Sequence, residues 1–191
     1  REQHSDPGAY EAGRRSWRYL PARYAAETPI PGRGALTPQL APPPSRNWEQ
    51  ETDKLEAALG IRYGQQQRRA IREAMESPVF ILTGGPGTGK TTTLNGILSL
   101  LEGEGLKVSL AAPTGRAAKR MTEVTGREAK TIHRLLEVEP FRDELTFKRN
   151  EKNPLPADAV IVDEMSMVDT LIMESLFRGM RLACKLILVG D

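Results

Sequence analysis

From Pro78 onward, short apolar runs alternate with segments whose apolar residues recur at helical spacing. The runs are VFILT, KVSLAA, DAVIVDE and KLILVGD. The predicted inward positions are Leu94, Ile97, Leu98 and Leu101 in a helix after the first run, and Val168, Leu171, Ile172 and Leu176 in a helix over 166–178. This alternation predicts an α/β fold in which a parallel sheet of four strands is flanked by helices.

The segment before Pro78 follows a different pattern. Residues 1–50 hold most of the prolines, as in PIPGRGALTPQLAPPPS, and predict the tail of an earlier domain followed by a linker. Asp53 and Glu56 match a capping box and predict a short helix that ends at Gly60, and a second helix is predicted over 66–75. We therefore divide the chain into residues 1–50, a helical lead-in over 51–77 and a sheet domain over 78–191. Within that domain, residues 138–152 are predicted to be an irregular excursion.

Composition narrows the class of protein. The chain has 191 residues, 39% of them hydrophobic and 27% charged, which is typical of one globular domain with appendages. The net charge of +2 indicates no partner, so a nucleic-acid surface would need local clustering of cations. The single cysteine, Cys184, lies in an apolar run and predicts a buried thiol in a reducing, cytoplasmic compartment. No apolar run predicts a membrane span or a signal peptide, and both ends, at Arg1 and Asp191, suggest a fragment.

The stretch GGPGTGKT has the spacing of a phosphate-binding loop between a strand and a helix. Glycines let several backbone N–H groups converge on a phosphate, and the N-terminus of the helix adds positive charge. The candidate nucleotide-binding residues are Gly84, Gly85, Pro86, Gly87, Thr88, Gly89, Lys90, Thr91 and Thr92. Lys90 is expected to reach the β- and γ-phosphates of ATP and the Thr91 hydroxyl to bind Mg²⁺, whereas a merely glycine-rich turn is the weak alternative.

Two carboxylates follow the strand AVIV. Asp163 is expected to complete the Mg²⁺ site at the carboxyl edge of the sheet, and Glu164 to orient and deprotonate the attacking water. The alternative is a solvated strand end. Gln67, in YGQQQRRAI, carries an amide that can pair with the donor and acceptor of the adenine edge, although an exposed helix face is an equal alternative.

The stretch AAPTGRAAKR ends a strand at the same edge. Pro113, Thr114, Gly115 and Arg116 form a turn that starts a helix, and Arg116, Lys119 and Arg120 share one face of it. Residues 113–134 hold six Lys or Arg against two Glu, so a nucleic-acid backbone is the expected anion. A capped helix with a solvated basic face is the alternative. His133, in TIHRLL, favours a structural role over a contact with DNA, because no second metal ligand lies near it.

In this order, GGPGTGKTTT, AAPTGRAAKRM, TIHRLL, VIVDEMSMVD and LILVGD resemble the motifs of RecD-like DNA helicases of superfamily 1, which are related to the alpha subunit of exodeoxyribonuclease V. The resemblance covers about residues 61–191. It implies a RecA-like P-loop NTPase domain in an ATP-driven translocase that moves 5′ to 3′ on single-stranded DNA during repair and recombination. It also implies an adenine contact for Gln67, DNA contacts for Thr114 to Arg116, and coupling of hydrolysis to DNA through Gly190 and Asp191.

The sequence departs from that family in two ways. A second RecA-like domain is missing, and with it an arginine that is worth roughly 10³ to 10⁵ in rate in related chemistry, so this chain alone is expected to hydrolyse ATP poorly. Upstream, RYLPARYAAE resembles the end of the family's N-terminal region, but the proline-rich run after it does not follow the family pattern, so no function is transferred to residues 1–50. Two other functions remain open: another P-loop ATPase of the AAA+ type, which AAPTGRAAKR disfavours, and a remnant that binds ATP or DNA without turnover.

Overall fold

A computed structural model describes residues 46–85, 87–141 and 144–190. The predictions made for residues 1–45, Pro86 and Asp191 lie outside the described residues. Within the described part of the chain, no helix combines the length and the apolar character needed to cross a membrane.

The elements alternate as the sequence predicts. The helices are α1 (Trp48–Leu59), α2 (Gln65–Glu76), α3 (Lys90–Gly103), α4 (Gly115–Thr125), α5 (Ile132–Leu135) and α6 (Thr170–Gly179), with a 3₁₀ turn at Met165–Met167. The strands are β1 (Val79–Thr83), β2 (Val108–Ala112), β3 (Ala129–Thr131), β4 (Val138–Phe141), β5 (Glu144–Phe147), β6 (Ala159–Val162) and β7 (Lys185–Gly190).

The main sheet has the order β1-β7-β6-β2-β3, and every neighbouring pair is parallel. All of β6 is buried, as is β7 after its first residue, which explains why both read as continuous apolar runs. Cys184, just before β7, is buried as expected. Because the strands are parallel, each one ends at the same edge of the sheet, and Thr83 lies beside Gly190 there.

The strand count and the excursion differ from the prediction. A fifth strand, β3, pairs with β2 and places Thr131 beside Ala112. The segment over 138–152 contains an antiparallel hairpin, in which Val138 lies opposite Phe147. Three residues are too few to show a strand period, and the hairpin is largely solvated, with Leu145 61% exposed. Neither feature therefore carries the hydrophobic pattern of a buried strand.

Helix α1 begins at Trp48, not at Asp53. Asn47 caps it, because its side-chain oxygen accepts hydrogen bonds from the N–H groups of Glu49 (3.1 Å) and Gln50 (3.3 Å). The capping-box prediction is wrong: the two carboxylates pair instead with Arg68 of α2, Asp53 at 2.7 Å and Glu56 at 2.8 Å. Hydrogen bonds from the Tyr63 N–H and from Arg68 lower the pKa of Glu56. These contacts join α1 to α2.

Helix α6 also starts later than predicted. Asp169 caps it by accepting a hydrogen bond from the Ile172 N–H (2.9 Å), after the 3₁₀ turn. Leu171 was predicted to face inward but is 74% exposed, and Val168 is half-buried. The core side of α6 is formed by Ile172, Met173, Leu176 and Phe177. Leu171 lies on the opposite, mostly polar side of the helix, at helical spacing from Glu174, Ser175 and Arg178, so only the continuous apolar side packs inward.

Helix α2, predicted over 66–75, packs against α3 at a close approach. Gly96 of α3 leaves room for the Tyr63 ring, since a Cβ at this position would lie 2.8 Å from the Tyr63 Oη and 3.2 Å from Ile71 Cδ1. Tyr63 is only 7% exposed, and it directly precedes Gly64, the cap residue just before α2. Gly96 therefore fixes where α2 sits on the domain.

Gly96→Ala is expected to lower the free energy of unfolding by about 1–3 kcal/mol, because the added methyl group overpacks Tyr63 and Ile71. Gly103→Ala, in the same helix, is the matched control, since a Cβ there meets no atom within 4 Å. The control should be neutral or more stable by up to about 1 kcal/mol. Urea unfolding followed by circular dichroism measures both, and equal midpoints for the two variants would contradict this packing.

Candidate nucleotide and nucleic-acid site

The candidate residues lie along one edge of the sheet, in an order set by the strands. The phosphate loop follows β1, Gly190 ends β7, Asp163 follows β6, Pro113 follows β2, and Thr131 ends β3. With neighbouring strands about 4.8 Å apart, the five strands span roughly 19 Å. The two carboxylates therefore stand between the phosphate loop on one side and the basic turn on the other.

The phosphate loop is held in shape from within. The Thr88 hydroxyl donates to the Gly85 carbonyl (2.7 Å), which closes a turn inside the loop. Gly89, the residue before α3, has a φ of 77°, a left-handed conformation that glycine adopts without strain. Thr91 and Thr92 are exposed on the first turn of α3, where the free N–H groups of the helix point.

The carbonyl of Gly89 accepts three hydrogen bonds. They come from the Thr93 N–H (3.0 Å), the Thr93 hydroxyl (3.0 Å) and the Gln67 Nε2 (3.1 Å). Two of these donors belong to α3 itself, and the third reaches across from α2. The loop is thus joined at its last glycine to the helix that carries Gln67.

Gln67 is half-buried beside the phosphate loop, which sets aside the alternative of an exposed helix face. Its Oε1 accepts a hydrogen bond from the Gly64 N–H (2.8 Å), while Nε2 donates to Gly89. An amide offers two donor hydrogens and two acceptor lone pairs, so one of each remains. The remaining pair matches the N7 acceptor and N6 donor of adenine.

Lys90 connects the phosphate loop to the end of β7. Its Nζ donates to the carbonyl of Gly190 at 3.2 Å, across 100 positions of the chain. Strand β7 lies directly between β1 and β6, so Gly190 stands between the loop and Asp163. Lys90 therefore contacts β7, the strand that lies between the phosphate loop and the carboxylates after β6.

Glu164 has a strained backbone. Its φ is 49° and its ψ is 45°, a left-handed conformation that costs a non-glycine residue on the order of 1–3 kcal/mol. Its N–H donates to the Oδ1 of Asp163 (2.8 Å), and the Asp163 N–H donates to Ala111 of the neighbouring strand (2.9 Å). Such strain collects at functional positions, and here it sets the direction of the second carboxylate.

The predicted metal ligands fit magnesium better than a metal held entirely by protein. In the described ranges, no three His, Cys, Asp or Glu side chains form a cluster that would hold an ion. Mg²⁺ usually takes one or two protein ligands and fills its remaining positions with phosphate oxygens and water. Asp163 retains a second carboxylate oxygen, and Thr91 offers a hydroxyl at the start of α3. This donor set suits a metal that arrives with a nucleotide.

The turn after β2 caps α4. The Thr114 hydroxyl accepts a hydrogen bond from the Ala117 N–H (3.2 Å), so it acts as a helix cap. Arg116, Lys119 and Arg120 are exposed, and no ion pair joins them to any described residue. Most other described arginines are paired, as Arg127 is with Glu102 at 2.6 Å. The basic face of α4 is therefore available to an anion.

Sequence reasoning missed that a second strand end adjoins this turn. Thr131 caps α5 through its hydroxyl, which accepts from the Arg134 N–H (3.2 Å), much as Thr114 caps α4. Lys130 and Arg134 are exposed and, within the described residues, have no ionic partner, so they extend the basic surface. The His133 ring lies 6.1 Å from that of Phe147 in the hairpin, consistent with the structural role predicted for it.

Comparisons with known proteins agree on one family. Residues 67–191 match the sequence model of the AAA domain family. The chain is 43% identical over 127 residues to the ATP-dependent RecD2 DNA helicase of Deinococcus radiodurans, covering 66% of this chain and 17% of that protein. It is 41% identical over 149 residues to the RecBCD enzyme subunit RecD of Mycobacterium tuberculosis, covering 66% of this chain and 25% of that protein. The chain thus spans a quarter or less of these two relatives.

Solved structures share the fold. A crystal structure of Bacteroides Pif1 bound to ssDNA matches with a TM-score of 0.50 and 29% identity, covering 69% of this chain and 32% of that one. A structure of Pif1 helicases, described as unwinding forked double-stranded DNA, matches with a TM-score of 0.51 and 25% identity, covering 69% and 34%. The expected RecA-like fold, a parallel sheet flanked by helices, is confirmed.

Gly89→Ala is expected to weaken nucleotide binding roughly tenfold or more, because alanine is strained at a left-handed φ. Its Cβ would also lie 2.5 Å from Gln67 Nε2. Gly103→Ala, at the far end of α3 and outside the site, is the matched control, since a Cβ there also meets nothing within 4 Å. Titration with fluorescent ATP should show the control within about threefold of the wild type. Equal losses in both variants would show that the loop does not depend on Gly89 in this way.

Proposed function

The chain belongs to the AAA domain family and, within it, to the RecD-like DNA helicases of superfamily 1, and on that premise we propose that it forms the ATP-hydrolysing motor core of a helicase that moves 5′ to 3′ on single-stranded DNA. The direction of movement and a role in repair and recombination follow from the family. The buried thiol of Cys184 suits the cytoplasm, where thiols stay reduced.

One observation carries the proposal. The strand order places Asp163 and Glu164 between the phosphate loop and the basic turn, about two strands from the first and one strand from the second. A motor needs its hydrolysis site close to both the nucleotide and the track. A parallel sheet brings both to a single edge, where ligands of such sheets collect.

In the proposed site, the backbone N–H groups of the loop over 84–89 bind the phosphates of ATP, and Lys90 turns from Gly190 toward the γ-phosphate. Thr91 and Asp163 hold Mg²⁺, which when bound neutralises charge on the β- and γ-phosphate oxygens. Glu164 accepts a proton from the attacking water. Gln67 contacts adenine with its remaining donor and acceptor.

Single-stranded DNA is the proposed track. Pro113 to Arg116 bind its phosphates at the start of α4, where the helix has free first-turn N–H groups and the Arg116 side chain is exposed. The exposed cations beyond the turn, from Lys119 to Arg134, lengthen that surface. A chain with little net charge then binds a polyanion through one local face.

Coupling is proposed to run through β7. Gly190, to which this role is assigned together with the next residue in sequence, Asp191, ends β7 beside β6, which Asp163 follows, and Lys90 contacts Gly190. A change in the nucleotide alters the partner of Lys90 and thereby the end of β7. A second RecA-like domain of the same protein, supplying an arginine to the γ-phosphate, is proposed to complete the site, since the relatives are several times longer than this chain.

Glu164→Gln is expected to lower the ATP hydrolysis rate of the intact protein by about 10² to 10⁴, because glutamine cannot accept the proton from water. ATP affinity should stay within about threefold, since Glu164 acts on the water and not on the phosphates. Glu128→Gln, at an exposed glutamate outside the site, is the control. A Glu164→Gln variant that hydrolyses ATP at the wild-type rate would exclude Glu164 as the base.

Thr114→Ala combined with Arg116→Ala is expected to abolish the stimulation of ATP hydrolysis by single-stranded DNA. The measured quantity is the ratio of rates with and without DNA, which does not depend on the active fraction. Lys54→Ala removes an exposed cation of α1 that pairs with Glu51, and should keep the ratio.

The salt dependence of DNA binding gives a second measure. For the wild type, the logarithm of the DNA-binding constant should fall with the logarithm of the salt concentration, at a slope of about −0.7 per phosphate contacted. The Thr114→Ala, Arg116→Ala double variant should have a shallower slope. Stimulation that persists in the double variant would exclude this turn as the DNA contact and favour an ATPase of another kind.

A further inference from the structure

Lys185 lies far from the edge that holds the candidate site. It is the first residue of β7, and its half-buried side chain reaches the C-terminal end of α2. The ammonium group donates hydrogen bonds to the carbonyls of Ala74 (2.8 Å), Met75 (3.3 Å) and Ser77. The last carbonyls of a helix have no partner within the helix, so Lys185 supplies one from a strand about 110 residues away in sequence.

Helix α2 needs such a cation. Arg68 and Arg69 occupy its first half, whereas Glu73 and Glu76 occupy its last turns, which is the reverse of the distribution that the helix dipole favours. The last turn of α2 contains no basic residue of its own. Burial lowers the pKa of Lys185 to about 8, which still leaves the ammonium as the main form at pH 7.

The two elements joined by Lys185 meet again at the nucleotide site. About 12 Å along α2 from Met75, Gln67 donates to the carbonyl of Gly89. At the far end of β7, the carbonyl of Gly190 accepts from Lys90, the residue after Gly89. Hydrogen bonds thus connect helix α2, the phosphate loop and strand β7 to one another. Lys185 joins α2 to β7 at the ends of these elements that lie away from the candidate nucleotide site.

We propose that Lys185 is a positioning residue for nucleotide recognition: it fixes the axial position of α2 on β7 and so holds Gln67 at the phosphate loop, in reach of the base. This inference rests on the proposed adenine contact of Gln67. Without the ammonium, three carbonyls lose their donor and the end of α2 with two glutamates moves away from β7. Gln67, at the other end of the same rigid helix, moves with it.

The test is the preference for ATP over GTP, measured in the intact protein as the ratio of the two dissociation constants with fluorescent ATP and GTP at 10 °C. The ratio is independent of the folded fraction, so a loss of stability alone does not change it. Lys185→Met is expected to lower the preference about fivefold, the range of one net hydrogen bond. Lys185→Arg should keep it within about twofold, because it retains the charge and the donors. Lys107→Met, at an exposed lysine that precedes β2, is the matched control and should keep the wild-type preference.

A double-mutant cycle separates this role from a general one. Gln67→Ala should lower the preference by itself, and Lys185→Met should change it no further in that background, because Lys185 acts through Gln67. A Lys185→Met variant that keeps the wild-type preference would overturn this inference alone. A wild-type protein without any preference for ATP would overturn the adenine contact and this inference with it.

Discussion

Five parallel strands impose the geometry on which the described structure depends. Each strand runs in the same direction, so each of the turns that follow them opens at one edge, and the strand order decides which turns are neighbours. The phosphate loop, Gly190, the two carboxylates and the basic turn come from distant parts of the chain. They form one line because their strands are parallel, and the hydrophobic burial of β6 and β7 maintains that line.

Strand β7 connects the phosphate loop at one edge of the sheet to helix α2 at the other. It is the last strand along the chain, yet it lies between β1 and β6. Its end accepts a hydrogen bond from Lys90, and Lys185 at its beginning donates two hydrogen bonds to the last turn of α2 and one to Ser77, which follows that helix. Helix α2 returns to the loop through Gln67. Hydrogen bonds therefore join the phosphate loop to two elements, α2 and β7, that are themselves joined to each other.

The basic side chains of the described residues fall into two groups, those that pair with a carboxylate and those that do not. Around α1 and α2, Arg68 contacts Glu49, Asp53 and Glu56, and these partly exposed pairs mainly orient the helices. By contrast, no acidic partner among the described residues pairs with the exposed cations on α4, β3 and α5, which are Arg116, Lys119, Arg120, Lys130 and Arg134. A total charge near zero hides this division, because the carboxylates that balance the sum lie elsewhere. Local pairing indicates a binding surface more clearly than net charge does.

The sequence by itself determined the parts whose signal is local. Composition and spacing identified the phosphate loop, and the apolar runs identified β1, β2, β6 and β7, because these patterns extend over consecutive residues. The three residues of β3 and the solvated hairpin were missed, since neither buries enough apolar surface to leave a period. Asp53 and Glu56 were assigned to a cap because a capping box is recognised locally, whereas their actual partner, Arg68, comes from another helix.

Only the tertiary structure decided that Leu171 faces outward, that β7 lies between the phosphate loop and Asp163, and that Lys185 donates hydrogen bonds to the end of α2. Each of these depends on which surfaces meet when distant segments pack, and that information is spread over the whole chain.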